Sequence, residues 1–251
     1  MLKILPIASG SSGNCFYLNI DNHQILIDFG VSLKKIKEAL YKNNIDINKI
    51  DYGFITHKHI DHISGLKVIH KHLDIPYYSI KSCVNYLNKK YETNIFNTLS
   101  YKEDLKLDDL TVTTLRVSHD VECCAFIFKT SNHKVSYVTD IGTMNNKILE
   151  SFKGSDVIVI ESNHDIEMLE NGTYPKDLIN RIESEDGHLS NKECANAINY
   201  FYKNGTKNFF LAHLSKENNI PELALNEIAK FNIKPNIYIC PIYNTNIFLE
   251  I

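Results

Sequence analysis

The feature that most constrains the fold of this chain is a succession of short apolar strands followed by helices, which occurs twice. Turn residues such as Gly, Ser, Asn and Asp bound the early strands, and Ser32 suits the N-cap of the first helix. The first half is predicted to contain strands 2–7, Cys15–Ile20 and 24–27, a helix from Ser32, strand Tyr52–Ile55, helix 64–72, a strand near Tyr77–Ile80 and helix 81–91.

The second half repeats this order after a less regular stretch. It is predicted to contain strands Leu110–Val117, 123–130 and 134–139, helix 145–152, strand Val157–Glu161, two short helices around 166–184, helix 191–204, strand Asn208–Ala212, helix 221–231 and strands near 236–240 and 246–250. Strand groups followed by helices, twice over, predict an α/β fold in which two mixed β-sheets pack face to face with helices outside, a four-layer αβ/βα sandwich. Because no Pro/Gly-rich linker divides the halves, residues 1–251 are interpreted as one domain.

Composition narrows the class of protein. With 43% hydrophobic and 23% charged residues, the 251-residue chain has the balance of a soluble globular protein rather than a disordered or fibrous one. No apolar run approaches the roughly 20 residues that cross a bilayer, and the start of the chain lacks signal-peptide features. A cytoplasmic location without membrane contact is expected. The six cysteines form no C-x-x-C pair, so they are expected to be free, buried thiols.

The charge of the chain is unevenly distributed. The net charge of -3 argues against broad electrostatic attraction to nucleic acid. Residues 1–90 nevertheless carry 12 Lys and 7 acidic residues (+5), whereas residues 91–251 carry 15 Lys+Arg and 23 acidic residues (-8). A basic face in the first third and lysines that merely solvate helices are both compatible with these numbers.

A cluster of metal-ligating residues follows the predicted strand Tyr52–Ile55. The segment 57–62 has the form H-x-H-x-D-H, supplied by His57, His59, Asp61 and His62. A loop at a strand's end can aim alternate side chains in two directions, so the two pairs of this segment can hold neighbouring ions. Imidazole and carboxylate ligands suit Zn²⁺, Mn²⁺ or Fe, and the lack of thiolate points away from a structural zinc site. The alternative is a histidine-rich surface turn, in which four such groups would crowd without a neutralising cation.

Three further candidate ligands stand at the ends of predicted strands, namely His119, Asp140 and His213. Each follows an apolar run, and alone each is typical of an ordinary polar residue that ends a strand. Beside the segment 57–62, they are interpreted as the additional ligands that a two-metal centre needs.

These residues, together with Asp28 at the end of the strand 24–27, resemble the five-motif signature of the metallo-β-lactamase superfamily. The shorter segments 9–14, 161–165, 187–190 and 212–215 are similar to the YycJ/WalJ subgroup of bacterial exonucleases. The resemblance implies a first metal site of His57, His59 and His119, a second of Asp61, His62 and His213, and Asp140 bridging both. It also implies that Asp28 orients ligands, with a helix-capping or turn aspartate as the alternative.

Catalysis by two divalent ions, Zn or Mn with Fe as a further option, requires protein groups that handle protons. Asp61 or Asp140 is expected to orient the attacking hydroxide. His188 lies in the segment 187–190, which resembles a loop of phosphodiesterase branches of the superfamily, and it is expected to donate a proton or bind phosphate. The alternative is that Ser190 and Glu193 form a capping box and His188 is only a loop residue, although both can hold together.

Other polar residues are weaker candidates. Asn14 in the Gly/Ser loop 9–14, with Asn163 and His164 after strand Val157–Glu161, are expected to approach the substrate phosphate, but ordinary loops and turns explain them equally well. A role for Glu161 stays open. The remaining candidate histidines lie in predicted turns or on a polar helix face and are expected to be solvated without a role: His23, His70, His72 and His133.

The predicted function is therefore a binuclear metal-dependent phosphodiesterase, and the resemblance implies a 5′-to-3′ exonuclease acting on DNA. The modest charge predicts weak, salt-dependent DNA binding. One alternative is a small-molecule hydrolase of the same fold, acting on a cyclic phosphate, thioester or lactone. Another is a metal-binding scaffold that has lost catalysis, although every expected ligand position is filled. No protein partner is predicted.

Overall fold

The computed structural model describes residues 1–243 and 249–251, and these residues form two compact units. The first unit contains Met1–Thr114, Phe128–His133 and Pro241–Ile251, and the second contains Leu115–Ile127 and Lys134–Cys240. A single domain over residues 1–251 stays a prediction.

The described strands form two seven-stranded sheets. In chain order they are β1 Leu2–Ala8, β2 Cys15–Ile20, β3 His23–Ile27, β4 Tyr52–Ile55, β5 Tyr77–Ile80, β6 Phe96–Leu99, β7 Leu105–Leu107, β8 Leu110–Val117, β9 Cys123–Lys129, β10 Lys134–Val138, β11 Val157–Glu161, β12 Asn208–Ala212, β13 Asn236–Ile239 and β14 Leu249–Glu250. The strand order is β14-β1-β2-β3-β4-β5-β6 in one sheet and β13-β12-β11-β10-β9-β8-β7 in the other. Both sheets are mixed, since antiparallel and parallel pairs occur in each.

Helices connect the strands of both sheets. The described α-helices are α1 Leu33–Lys42, α2 Ile60–Ile63, α3 Leu66–Ile69, α4 Lys81–Tyr91, α5 Asn146–Phe152, α6 Ile166–Glu170, α7 Lys176–Ile182, α8 Asn191–Lys203 and α9 Pro221–Ala229, and a short 3₁₀ helix covers Ile47–Lys49. As predicted, Ser32 caps α1 by accepting a hydrogen bond from the Lys35 backbone N–H. None of the helices in residues 1–243 and 249–251 is long and apolar enough to cross a membrane.

In the first unit, parallel pairing brings the carboxyl ends of neighbouring strands to one edge of the sheet. β3 pairs with β4 in the register Ile27↔Phe54, and β4 pairs with β5 in the register Ile55↔Ser79. Asp28 directly follows β3, and the segment 57–62 follows β4. The sheet therefore places Asp28 and the histidine segment side by side.

The second unit places its candidate residues in the same way. β10, β11 and β12 are parallel neighbours whose ends are aligned, with Val138 opposite Ile160 and Glu161 opposite Ala212. Buried apolar side chains of the sheet and of α5, α8 and α9 form one core, including Phe152, Ile198 and Phe209. Burying such side chains favours folding by roughly 1.5–3 kcal/mol each. This core holds the strand ends that carry Asp140, Glu161 and His213.

The structure differs from the sequence prediction at a few elements. Strands β6 and β7 lie in a stretch predicted to be less regular, because β6 buries only its two end residues and β7 has three residues, too short for an alternating pattern. The predicted helix 64–72 is shorter, since α3 ends at Ile69, and α2 begins inside the histidine segment. Part of the strand predicted near 246–250 falls outside the described residues, which contain Leu249–Glu250 as β14.

Candidate metal centre

In the first unit, the histidine segment packs three imidazole rings together. The ring centroids of His57 and His59 are 4.7 Å apart, and those of His57 and His62 are 4.2 Å apart. The Asp61 carboxylate joins this group, with Oδ2 3.4 Å from His62 Nε2. His57 and His62 are fully buried. Three imidazoles so close together cannot all be protonated without strong repulsion, and they form the kind of donor set that a divalent cation stabilises.

Asp28 forms hydrogen bonds with Thr56 and with His62 of this segment. Its carboxylate is fully buried and accepts hydrogen bonds from the Thr56 backbone N–H at 2.9 Å and from Thr56 Oγ1 at 3.0 Å. Asp28 Oδ2 also lies 2.8 Å from His62 Nδ1. Because a carboxylate only accepts hydrogen bonds, His62 donates through Nδ1, which makes Nε2 the ring atom able to coordinate a metal.

The Gly/Ser loop 9–14 also contacts the segment 57–62, through Asn14. Asn14 is fully buried, and its Nδ2 lies 3.0 Å from His62 Nε2 and 3.2 Å from Asp61 Oδ2. The backbone N–H of Asn14 donates to the Asp61 carbonyl at 2.7 Å, while Gly30 N–H donates to the Asn14 carbonyl at 2.8 Å. A Cβ at Gly30 would lie 1.5 Å from the Asp61 carbonyl oxygen, so only glycine permits this approach. The observed contacts of Asn14 are with protein groups, and its contact with a substrate phosphate stays a prediction.

In the second unit, Asp140, Glu161, His188 and His213 bring their ligand atoms within 4.8 Å of one another. Asp140 Oδ1 lies 3.6 Å from His213 Nδ1 and 4.0 Å from His188 Nδ1. His119 borders the same aspartate, with Nε2 3.9 Å from Asp140 Oδ1. Its Nδ1 lies 3.3 Å from the Gly187 carbonyl oxygen, which directs Nε2 toward the carboxylate.

Glu161 forms hydrogen bonds with two histidines of this second set. Its fully buried carboxylate accepts hydrogen bonds from the Ile141 backbone N–H at 2.9 Å, the Leu189 backbone N–H at 3.2 Å, and the Nδ1 atoms of His188 and His213, each at 2.8 Å. Burial alone would raise the pKa of Glu161, but the positive charge of His188 and the hydrogen bonds from both histidines hold it below its usual value. Glu161 thus orients His213 as Asp28 orients His62.

His188 is only 18% exposed along its side chain. Burial alone would lower its pKa, but the charge and hydrogen bond of Glu161 raise it above the usual value. Ser190 and Glu193 form the predicted capping box of α8, so the capping interpretation is confirmed. The cap and the contact of His188 with Glu161 exist together.

Asn163 and His164 are also buried among protein groups. Asn163 Nδ2 donates to the His213 carbonyl at 3.0 Å, so Asn163 helps to position that residue. His164 is 2% exposed, and burial lowers its pKa to about 4, so the ring is neutral at physiological pH. A phosphate contact by either residue stays a prediction.

Three of the candidate residues have left-handed backbones. The φ angles are +59° at Asp28, +54° at Asp140 and +56° at His213. Non-glycine residues rarely adopt this region, and such outliers concentrate at functional sites because the surrounding contacts must hold them there. Each stands within two residues of the end of a parallel strand, where the turn re-aims the side chain.

The donor atoms in both units fit a divalent metal ion of the Zn, Mn or Fe type. They are imidazole nitrogens and carboxylate oxygens, with histidines oriented through their second nitrogen, as is usual for metal ligands. Cysteine does not contribute. All six cysteines are buried and outside any disulfide, as predicted, and burial raises the pKa of the Cys83 and Cys194 thiols to about 12, which keeps them as thiols.

The four histidines expected to be solvated differ among themselves. His72 is exposed, whereas the other three are partly buried. His23 Nε2 lies 2.6 Å from Asp109 Oδ1, and His133 Nδ1 lies 2.9 Å from Asp21 Oδ2. The ring of His70 packs against Tyr91 with centroids 5.5 Å apart. Solvation is therefore correct for His72 alone, because strand ends and ring packing shield the others.

Comparison with known proteins agrees with this chemistry. The family model described as the β-lactamase superfamily domain matches residues 23–213. The exodeoxyribonuclease YycJ of Bacillus anthracis is 36% identical over 228 residues, covering 89% of this chain and 86% of that protein. The exodeoxyribonuclease WalJ of Streptococcus pneumoniae is 34% identical over 241 residues, covering 92% and 90%.

A solved structure is similar over the whole length. The metallo-β-lactamase fold protein YhfI from Bacillus subtilis has a TM-score of 0.75 at 16% identity and covers 100% of both chains. The predicted fold class, with two mixed sheets flanked by helices, is confirmed. The chain belongs to the metallo-β-lactamase superfamily and, within it, to the YycJ/WalJ subgroup.

Proposed function

We propose that this protein is a binuclear metal-dependent phosphodiesterase that degrades DNA from the 5′ end as an exonuclease. The observation that carries the proposal is a matched pair of histidines, His62 and His213, each held through Nδ1 at 2.8 Å by a buried carboxylate. Such carboxylate–histidine pairs are typical of metal ligands. The names of the YycJ and WalJ relatives support DNA as the substrate.

We assign the ligands as the family resemblance implies. His57, His59 and His119 would hold the first ion, Asp61, His62 and His213 would hold the second, and Asp140 would be shared by both. Zn and Mn are the preferred ions, with Fe as the third option, because the set contains only imidazole and carboxylate donors. Bound divalent ions supply Lewis acidity, which makes water acidic near neutral pH and stabilises negative charge on phosphate oxygens.

The protein groups perform the remaining tasks. The carboxylates of Asp61 and Asp140 orient the attacking water by accepting its hydrogen bonds. His188 binds the phosphate or donates a proton to the leaving oxygen. Its Nδ1 already donates to Glu161 at 2.8 Å, so Nε2 is the atom assigned to the substrate.

Two substrates distinguish this function from its alternatives. Metal-loaded protein is incubated with linear duplex DNA labelled at either the 5′ or the 3′ end, and separately with an aryl phosphodiester. The proposal expects early release of the 5′ label as small products. Cleavage of the aryl ester alone contradicts the nuclease function and favours a small-molecule hydrolase, and cleavage of neither by metal-bound protein favours a scaffold.

Two variants separate metal binding from catalysis. His59→Ala is expected to lose metal, because it removes one assigned ligand. His188→Ala is expected to keep metal and lose turnover. His72→Ala is the matched control, since His72 is exposed on the chain's surface. Metal content and DNA cleavage are measured for all three, and full cleavage by His188→Ala contradicts its assigned role.

DNA as the substrate also accounts for a cytoplasmic location, which we propose for this protein. Cell fractionation with an antibody against the native chain tests it, and recovery in an extracellular or membrane fraction contradicts it.

A further inference from the structure

Helix α4 presents an aromatic side chain to solvent instead of burying it. The helix buries Cys83, Val84 and Leu87 on one face. Tyr86 lies at the flank of this buried face and is 39% exposed. Aromatic rings favour offset-stacked contacts, and the exposed part of this ring is accessible to a ligand.

The ammonium groups of two lysines lie over this ring. Lys58 Nζ lies 5.9 Å from the centroid of the Tyr86 ring, and Lys90 Nζ lies 5.1 Å from it. Lys90, one helical turn after Tyr86, also donates a hydrogen bond to its hydroxyl at 3.1 Å. The two ammonium groups thus border one exposed ring, which we call the Tyr86 platform, defined by Lys58, Tyr86 and Lys90.

The lysines of the platform are not paired with acidic side chains, although Glu92 follows α4 as its C-cap residue. Helix α4 contains Lys81, Lys89 and Lys90 and no Asp or Glu. Within residues 1–243 and 249–251, these three lysines form no ion pair, and Lys58 forms none either. Helix α1 carries the same excess of three lysines, but there Lys42 lies 3.3 Å from the Glu38 carboxylate. The charge of the unpaired lysines attracts an anionic partner, and an exposed ring suits one with planar groups.

The sheet places the platform next to the candidate metal ligands of the first unit. β4 leads into the histidine segment and its parallel neighbour β5 leads into α4, so both follow the same sheet edge. Lys58 stands between His57 and His59 in the chain. Ile60 in the same segment is 65% exposed and adds an apolar group beside the lysine.

We propose that the Tyr86 platform binds a single-stranded segment of nucleic acid, with a base stacked on Tyr86 and phosphates contacting Lys58 and Lys90. Single-strand binding sites combine aromatic rings with basic side chains in this manner. The inference deepens the proposed function, on which it rests, by assigning the surface that holds the substrate strand beside the segment 57–62.

Binding is tested without cleavage, using a fluorescein-labelled deoxythymidine oligonucleotide in the presence of EDTA and anisotropy as the readout. Tyr86→Ala is expected to weaken binding about 5- to 150-fold, as loss of one stacked base does. Tyr86→Phe keeps the ring and is expected to bind within about threefold of the wild type. Lys90→Gln is expected to reduce the slope of log Kd against log salt by about 0.7. Lys90 is preferred to Lys58, which is flanked by candidate ligands.

Matched controls are available on α1, where Tyr41 is 82% exposed and Lys34 is exposed. Tyr41→Ala and Lys34→Gln are expected to bind like the wild type. The inference is overturned if Tyr86→Ala binds as tightly as Tyr41→Ala, or if Tyr86→Phe loses as much affinity as Tyr86→Ala. Equal competition by a polyglutamate peptide also overturns it, because charge alone would then explain binding.

The two proposals fail in different assays. Absence of DNA cleavage by metal-loaded wild-type protein contradicts the proposed function and leaves the binding comparison intact. Cleavage with unchanged binding by Tyr86→Ala contradicts the platform alone.

Discussion

Replacing Glu161 by glutamine tests the orientation of the second ligand set most directly. The substitution keeps the shape of the side chain but turns one acceptor oxygen into an amide donor. In the structure, Oε1 accepts from His188 and His213, and Oε2 accepts from two backbone N–H groups. An amide nitrogen in either position therefore faces two donors.

Of the two orientations of the glutamine amide, the less unfavourable one has its nitrogen facing the two histidines. Each ring must then accept through Nδ1 and carry its proton on Nε2, the atom that His213 would use to bind a metal. Metal affinity is expected to fall about 10- to 100-fold. Hydrogen bonds to a charged group contribute roughly 1.5–3 kcal/mol each, so losing their charge assistance is expected to lower the free energy of unfolding by about 3 kcal/mol.

For a chain of this size, about 3 kcal/mol corresponds to a fall in Tm of roughly 6–12 °C. Scanning calorimetry of metal-free protein measures the stability, and zinc titration with a competing chelator measures the affinity. Glu170→Gln is the control, because Glu170 is exposed at the end of α6. The reasoning about Glu161 is refuted if Glu161→Gln has a Tm within about 1 °C of that of the control and binds zinc equally well.

Three further predictions concern the first unit. Asp28→Asn is expected to weaken zinc binding by about 10- to 100-fold in the same titration, and unchanged affinity would contradict an orienting role. Gly30→Ala is expected to lower the unfolding free energy in urea by more than about 2 kcal/mol, because its Cβ would lie 1.5 Å from the Asp61 carbonyl oxygen; Gly154→Ala, with open space and φ +68°, is the control for backbone strain alone. Burial alone would raise the pKa of Asp21, but hydrogen bonds from the chain's amino terminus and two side chains hold it well below the usual value. Its folded pKa lies below the unfolded one, so the stabilisation is present at neutral pH and lost as pH falls through the folded pKa; Asp21→Asn should be less stable than wild type at pH 7, with a smaller difference in acid, and an equal difference would contradict this.

Much of the candidate site was predictable because its residues follow recognisable strands. The segment 57–62 is dense in ligand types over six positions, and Asp140 and His213 each follow an apolar run that the structure confirms as a parallel strand. Asp140 and His213 lie at one edge of their sheet because β10, β11 and β12 are parallel neighbours; apolar runs predicted these strands but not their pairing.

The role of Glu161 was not predictable in the same way. Its partners come from three separate segments, at Ile141, at His188 with Leu189, and at His213. A glutamate that ends a buried strand has the same local pattern whether it accepts four hydrogen bonds or faces water. The one available signal was its place at the end of a wholly apolar run, where an unpaired carboxylate would be costly to bury.

The basic charge of the first third illustrates what residue counts leave open. Residues 1–90 carry a net +5, which is compatible with either a basic face or lysines that solvate helices. Helices α1 and α4 each carry an excess of three lysines, so they differ only in what lies beside individual side chains. On α1, Lys42 pairs with Glu38, whereas on α4 Lys90 borders the exposed ring of Tyr86 with no acid in the helix. A net charge of -3 for the whole chain is therefore compatible with local attraction of a nucleic acid strand, because screening limits each charge to about 10 Å and the phosphates respond only to nearby groups.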